Sequence, residues 1–266
     1  MEFLKSARKK SFVSEATYAL LNIALAIAVT LIVYYTSSIL LAIIAVIISK
    51  WRIFAVRPRY WWANLRSNMV DFTVHISLVI HMYGVHVSAL PENTKIPIMA
   101  ALTLLYIGWL LFLKPRSRRA AVIAQAGVAI FLGSTALFTA WYDWPVSVVV
   151  LGMWVIGFTS AQHALSSFDK ETHNIFLSLF WGFVLAELSW AAYHWSVAYP
   201  LPFVSAVMIP QISLIATLVS WLAYKIYASQ YAHDKVRSAD ILMPLLFTVG
   251  VITVLLVAFT RVGVAI

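Results

Sequence analysis

From Ala16 to Ser49 the chain carries no charged residue, and a series of long apolar runs follows. Runs of this length cannot be covered by a soluble core of ordinary size. They match the roughly 20 residues per helix that a bilayer requires. In lipid every backbone polar group must be satisfied internally, which leaves helices or a closed barrel. Barrel strands alternate apolar and polar residues, whereas these runs are continuously apolar, so the barrel is excluded. Composition agrees: 62% of residues are hydrophobic and 11% charged, against about half and about a quarter in soluble domains. The chain therefore reads as an all-α polytopic integral membrane protein.

As one helix, residues 16–49 would measure about 50 Å, longer than a tilted span accommodates without strain. A hairpin turning near Tyr34-Tyr35-Thr36-Ser37-Ser38 is predicted instead. Nine spans result, at about 16–35, 37–54, 67–90, 96–113, 119–141, 145–166, 175–197, 201–226 and 240–260. With the N-terminus cytoplasmic and the C-terminus outside, seventeen of the nineteen Lys and Arg fall on the cytoplasmic side. Only Lys95 and Arg261 fall outside, a strong positive-inside bias. Residues 1–266 form a single transmembrane domain, with residues 1–15 as a retained basic tail. No connection is long enough for a soluble domain, and the pattern fits a prokaryotic plasma (inner) membrane.

The formal charge of +9 is spread over short clusters between spans, which argues for lipid contact and against nucleic acid. With no cysteine there is no disulfide framework, thiolate metal site or covalent c-type haem. The densest basic cluster, residues 50–66, interleaves Arg52, Arg57, Arg59 and Arg66 with Trp61 and Trp62. Pro58 interrupts any continuous helix there. The segment is expected to lie in the interface and meet anionic headgroups on the cytoplasmic face.

Ionisable groups within spans are functional candidates by default, because burying them in lipid is costly. The stretch DFTVHISLVIHMYGVH, residues 71–86, places Asp71, His75, His81 and His86 at graded depths of about 6, 12, 21 and 28 Å. At 100° per residue, Asp71, His75 and His86 share one face, while His81 points about 120° from His75. His163, Glu187, His194 and Gln211 supply candidates on later spans. If those helices are neighbours, three layers form: Asp71, His75 and His163 inside; His81, Glu187 and Gln211 at midplane; His86 and His194 outside. Pro210 is expected to break its helix near the midplane beside Gln211.

Several chemistries compete for these residues. A metal site wants ligands at i, i+3 or i+4; His81 and His86 diverge by about 140°, and Asp71–His75 alone is a weak pair, so no metal is expected. Haem b, held by His75 and His86 against His163 and His194, fits the outer pair by depth and misses the inner by about 6 Å. No cofactor is expected. Nucleophilic catalysis lacks a GxSxG motif, and the protein is more readily a non-enzyme. Gly127, Gly133, Gly152 and Gly157 read as close-packing positions. Trp141, Tyr142, Trp144, Trp190, Tyr193, Trp195 and Tyr199 read as an external aromatic belt. Three functions remain: a transporter for protons or a small polar solute along the Asp/Glu/His seam, a subunit or scaffold with a membrane-protein partner or a second copy, and an intramembrane enzyme or electron carrier acting on lipids or quinones.

Overall fold

The structure, a computed structural model, describes residues 12–169, 171–195, 197–201, 204–257, 259 and 264–265. The basic tail through residue 11, Lys170 and Arg261 lie outside the described residues. The charge-free run folds as two helices, α1 (Phe12–Thr36) and α2 (Ile39–Ser49), separated at Ser37 and Ser38. Ser37 takes a left-handed backbone, φ 49°, and Ser38 caps α2 through its side chain. A short α3 (Trp61–Ser67) leads into α4 (Met69–Val87), then α5 (Glu92–Gly108), which runs on as a π-turn over Trp109–Leu113. Then follow α6 (Arg119–Ala140), α7 (Val146–Leu165) and α8 (Asn174–Tyr193). A hairpin of β1 (Val197–Leu201) and β2 (Val204–Pro210) precedes α9 (Gln211–His233) and α10 (Ser238–Val257), and a two-residue β3 (Val264–Ala265) pairs with β1.

Eight of these helices are long and apolar enough to cross a membrane. The protein is an all-α integral membrane protein with a small three-stranded sheet. Two of the nine expected spans differ in detail. Residues 37–54 give only the eleven residues of α2, about 16 Å, half of a bilayer core of about 30 Å. The helix ends with Lys50 as its C-cap, and from there that side chain turns inward to Asp71. The expected span over 201–226 begins ten residues late, because β1 and β2 pair as antiparallel strands, with Tyr199 opposite Ile209. Pro210 sits at the N-cap of α9, where its missing N–H has no helical partner to lose. It therefore starts a helix and does not break one.

Packing divides the bundle about α6, which contacts α4 on one side and α7 and α9 on the other. On the first side Val29 and Val33 of α1, Val46 of α2, Val74 and Met82 of α4 and Leu110 form one core. On the second, Phe138, Val149, Met153, Leu185 and Ala216 form another. Among the described residues the most extensive helix–helix contact is between α7 and α8. There a Cβ on Gly157 would lie 3.2 Å from the Gly182 Cα, and one on Gly182 would lie 3.1 Å from the Trp154 carbonyl. Gly133 and Gly152 are similarly crowded by Thr73 and Leu137, whereas a Cβ on Gly127 would meet nothing within 4 Å. Gly127 is thus not a packing glycine.

Candidate functional site

Three helix ends converge on one carboxylate. Asp71 lies in the first turn of α4, Lys50 is the C-cap of α2, and Lys114 is the C-cap of the π-turn. The partial charges of helix termini favour an anion at the first position and cations at the other two. Lys50 Nζ donates to Asp71 Oδ2, and Lys114 Nζ lies 2.8 Å from the same oxygen. The Trp109 indole N–H donates to Asp71 Oδ1 at 3.0 Å. His75, one turn along α4, holds Nδ1 3.1 Å from Oδ1 and Nε2 3.4 Å from Lys50 Nζ. With the ammonium donating to Nε2, the ring proton belongs on Nδ1, facing Asp71. Asp71 and Lys50 are each 7% exposed and His75 is wholly buried.

Such a cluster is expensive. Removing each ion from water costs several kcal/mol, which mutual attraction and further hydrogen bonds must offset. Two ammonium groups on one carboxylate also leave an excess positive charge. The π-turn belongs to the arrangement, since such turns recur at functional sites and this one carries both Trp109 and the cap Lys114. The end of the turn and the loop after it are tied to α6 by Gln125, whose amide donates to Leu113 O at 2.7 Å and Arg116 O at 2.9 Å. The Gln125 oxygen in turn meets His163 Nε2 of α7 at 2.7 Å.

From Asp71 an interrupted string of polar side chains, in separate contacts, rises between α1, α4 and α5. The His75 ring meets Tyr106 edge-on, centroids 5.0 Å apart. The Tyr106 hydroxyl is buried and has no hydrogen-bond partner among the described residues. One turn away on α5, Thr103 Oγ1 lies 2.7 Å from Thr30 Oγ1 of α1, and Thr30 also reaches Met82 Sδ at 3.6 Å. Two turns further along α1, Ser37 Oγ bonds His86 Nε2 at 2.8 Å. The left-handed backbone of Ser37 sets that hydroxyl at the turn. Beside it Tyr34 Oη donates to Glu92 at 3.3 Å, and Glu92 pairs with Lys95. The string thus runs from a charge cluster at one end of α4 to a second polar cluster at the other.

Not all the expected layers assemble. Asp71 and His75 meet, and His163 sits nearby through Gln125 without touching either. His81 faces the Leu132 backbone of α6, away from His75 as their angular spacing implies, while His75 meets Tyr106 of α5 and His86 meets Ser37. Glu187 is exposed on α8, a helix that packs on α7 and α9, and the structure does not bring it to His81. Gln211 caps the hairpin end instead, donating to Tyr199 Oη at 2.7 Å and Leu255 O at 2.8 Å. His194 is exposed among the rings of Trp190 and Tyr193; neither it nor His163 faces His75 or His86. Depth alone suggested these pairings, and depth says nothing of azimuth.

The interfacial loop keeps its shape by local bonds. The Trp61 indole donates to the carbonyls of Phe54 and Val56, Arg59 stacks on Tyr60 at 4.7 Å, and Trp62 is 72% exposed. Arg57 is exposed, and Arg66 lines a cleft with the start of α8; the side chain of Arg52 lies outside those described. The aromatic belt partly becomes a joint, with the Tyr142 and Tyr193 rings tilted against each other at 5.1 Å and each hydroxyl donating across the α6–α7 loop and α8. Lys50, Lys114, Trp109, Tyr106, Thr30, Thr103, Ser37 and Gln125 were not singled out as site residues from sequence. Lys50 and Lys114 sit beside apolar runs and read as loop charges, and threonines in helices carry no distinguishing pattern.

Comparison with models of protein families, with curated proteins and with solved structures finds no match.

Proposed function

We propose that the protein supports proton-linked permeation along the seam between α1, α4 and α5, with Asp71 and His75 as its charged entrance. The observation that carries this reading is the succession of Asp71, His75, Tyr106, Thr103, Thr30, Ser37 and His86 along one helix interface. Chains of carboxylate, imidazole and hydroxyl groups at graded depth suit proton relays. A half-length helix and a π-turn at the charged end add irregular backbone of the kind tolerated where it serves a buried site. In this reading the Asp71 end is cytoplasmic, the N-terminus is inside and the C-terminus outside, as the positive-inside bias supports. The short α2 takes the place of a full ninth span, and the setting is a prokaryotic inner membrane. The test is proton uptake into vesicles containing the purified protein and a trapped pH dye, driven by a potassium diffusion potential. The reading expects uptake above empty vesicles and a loss of at least about tenfold for Asp71→Asn and for His75→Ala. Uptake equal to that of empty vesicles overturns it.

A second reading, self-association, is favoured by Glu187. It stands exposed on the α8 face that carries Phe176, Phe180, Phe183 and Trp190, and with Glu187 among them these positions alternate four and three apart like a helix-pairing seam. An ionisable group at membrane depth seldom faces lipid unpartnered. A second copy of the chain meeting α8 would cover it. Blue-native electrophoresis tests this: a dimer that becomes a monomer on Glu187→Leu supports it, and a wild-type monomer removes it.

A further inference from the structure

On the far side of α6 from the charge cluster, α6–α9 and Phe247 of α10 surround a gap. They leave a space of about 880 Å³, within the ~300–1,000 Å³ of pockets that take a ligand. Along α6 it runs from Ala120 to Ile130, about 15 Å at 1.5 Å per residue. Its walls are mainly apolar and aromatic, with Leu177, Phe180, Trp181 and Trp221 facing small residues of α6 and α7. Gly127 belongs to this wall, and the open space at its missing Cβ is the space of the cavity. Ser160, also on the wall, is 1% exposed, and its hydroxyl has no partner among the described residues.

The end nearest the start of α6 is cationic. Lys225 lines the cavity, its ammonium 5.8 Å from the Trp221 ring centroid. Arg119, next to Ala120, is held over Phe168 at 4.6 Å and near Tyr231 at 5.4 Å, and its Nε donates to Ser167 O. Phe168 itself is wedged among Tyr224, Tyr227 and Tyr231, so the guanidinium is fixed in place. Neither Arg119 nor Lys225 has a carboxylate within ion-pair distance among the described residues. Glu171, on the adjoining α7–α8 loop, is engaged by Tyr227 Oη and the His173 N–H. An apolar slot about 15 Å long with free cations at one end matches one molecular shape: a hydrocarbon tail with an anionic head. Arg presents a fork suited to phosphate, and Lys can snorkel to the same level.

We propose that this cavity is a binding site for an anionic phospholipid, one acyl chain lying between α6 and α9 and its phosphate held by Arg119 and Lys225. Trp181 and Trp221 line the slot and report occupancy. The experiment places the full-length protein in vesicles of phosphatidylcholine doped with either phosphatidylglycerol or phosphatidylcholine carrying brominated acyl chains, which quench tryptophan on contact. Brominated phosphatidylglycerol is expected to quench at least twice as strongly at equal mole fraction. Gly127→Leu, which fills the slot, is expected to abolish the excess, and Lys225→Gln to reduce it while leaving the slot intact. Unchanged elution and helical circular dichroism identify variants that remain folded. Equal quenching by the two headgroups, or an excess that survives in folded Gly127→Leu, overturns the proposal. Because α4 and α5 contribute no residue to the slot, failure of proton uptake has no bearing on this result.

Discussion

Asp71 and Glu187 are both carboxylates within apolar helices, and the two sides of the bundle treat them oppositely. On the α1–α5 side, Asp71 is enclosed by two lysines, an indole and an imidazole. On the α7–α10 side, Glu187 is exposed, and α7 and α8 are joined by glycine contacts and the edge-on meeting of Trp154 with Phe183. One side is held together through polar groups that demand partners, the other through shape. A chain that needed only to be a stable bundle could use the second device throughout, since apolar replacements of buried ion pairs are often as stable or more so. That the first side keeps the costly device is the main argument that it has work to do.

Substitutions on the two sides should separate accordingly. The largest effect is expected for Asp71→Asn, which leaves Lys50 and Lys114 without their counter-ion; breaking a buried pair from one side costs about 3–5 kcal/mol. Thermal unfolding in detergent reads it, and Glu187→Gln should stay within about 0.5 kcal/mol of wild type, as exposed substitutions do. If both substitutions cost the same, the contrast between the sides fails. Next comes Gly182→Ala on the shape-held side: a methyl driven against the Trp154 carbonyl and Phe158 overpacks the α7–α8 contact, at about 1–3 kcal/mol. Smaller again is Thr103→Val in the seam, about 1 kcal/mol for one lost hydrogen bond. It should nevertheless slow proton uptake far more than Gly182→Ala does, and the reverse ranking would place the working path elsewhere.

The smallest effect concerns Glu171 in the α7–α8 loop. The hydrogen bond from Tyr227 holds its carboxyl below the usual carboxylate range, helped by the His173 N–H. A carboxyl lowered in the folded state adds stability above its unfolded value, about 4.3, and loses it as pH falls through the lowered folded value. Wild type should therefore lose stability from about pH 5 downward slightly more than Tyr227→Phe. Parallel acid limbs would show that the contact has no thermodynamic weight.

Much of the α1–α5 side could be read from sequence through local spacing. Asp71 and His75 are four apart, so their meeting follows from helical geometry, and the divergence of His81 follows from the same 100° step. Lys50 was the difficult residue. It ends an uncharged run and opens a basic loop, so by pattern it belongs to the interface, and only the shortness of α2 draws it inside. Glu187 failed for the opposite reason: its depth is readable, but which side of α8 faces the protein depends on α7, whose glycines determine the contact. Thr30 and Thr103 are invisible in the same sense, because a helical threonine usually satisfies itself on its own backbone; here each hydroxyl is within reach of its own carbonyl and of the other, so one donates back to its helix while the other donates across. Pro210 misled because proline both breaks helices and begins them, and the difference lay in the strand preceding it.

The central claim is that charge is handled on the α4 side of the bundle and not on the α8 side. Its most direct test is potential-driven proton uptake measured in parallel for wild type, Asp71→Asn and Glu187→Gln in vesicles of one composition. Uptake should fall at least about tenfold for Asp71→Asn and stay at the wild-type rate for Glu187→Gln. Full uptake in folded Asp71→Asn, or its loss in Glu187→Gln alone, would contradict the account.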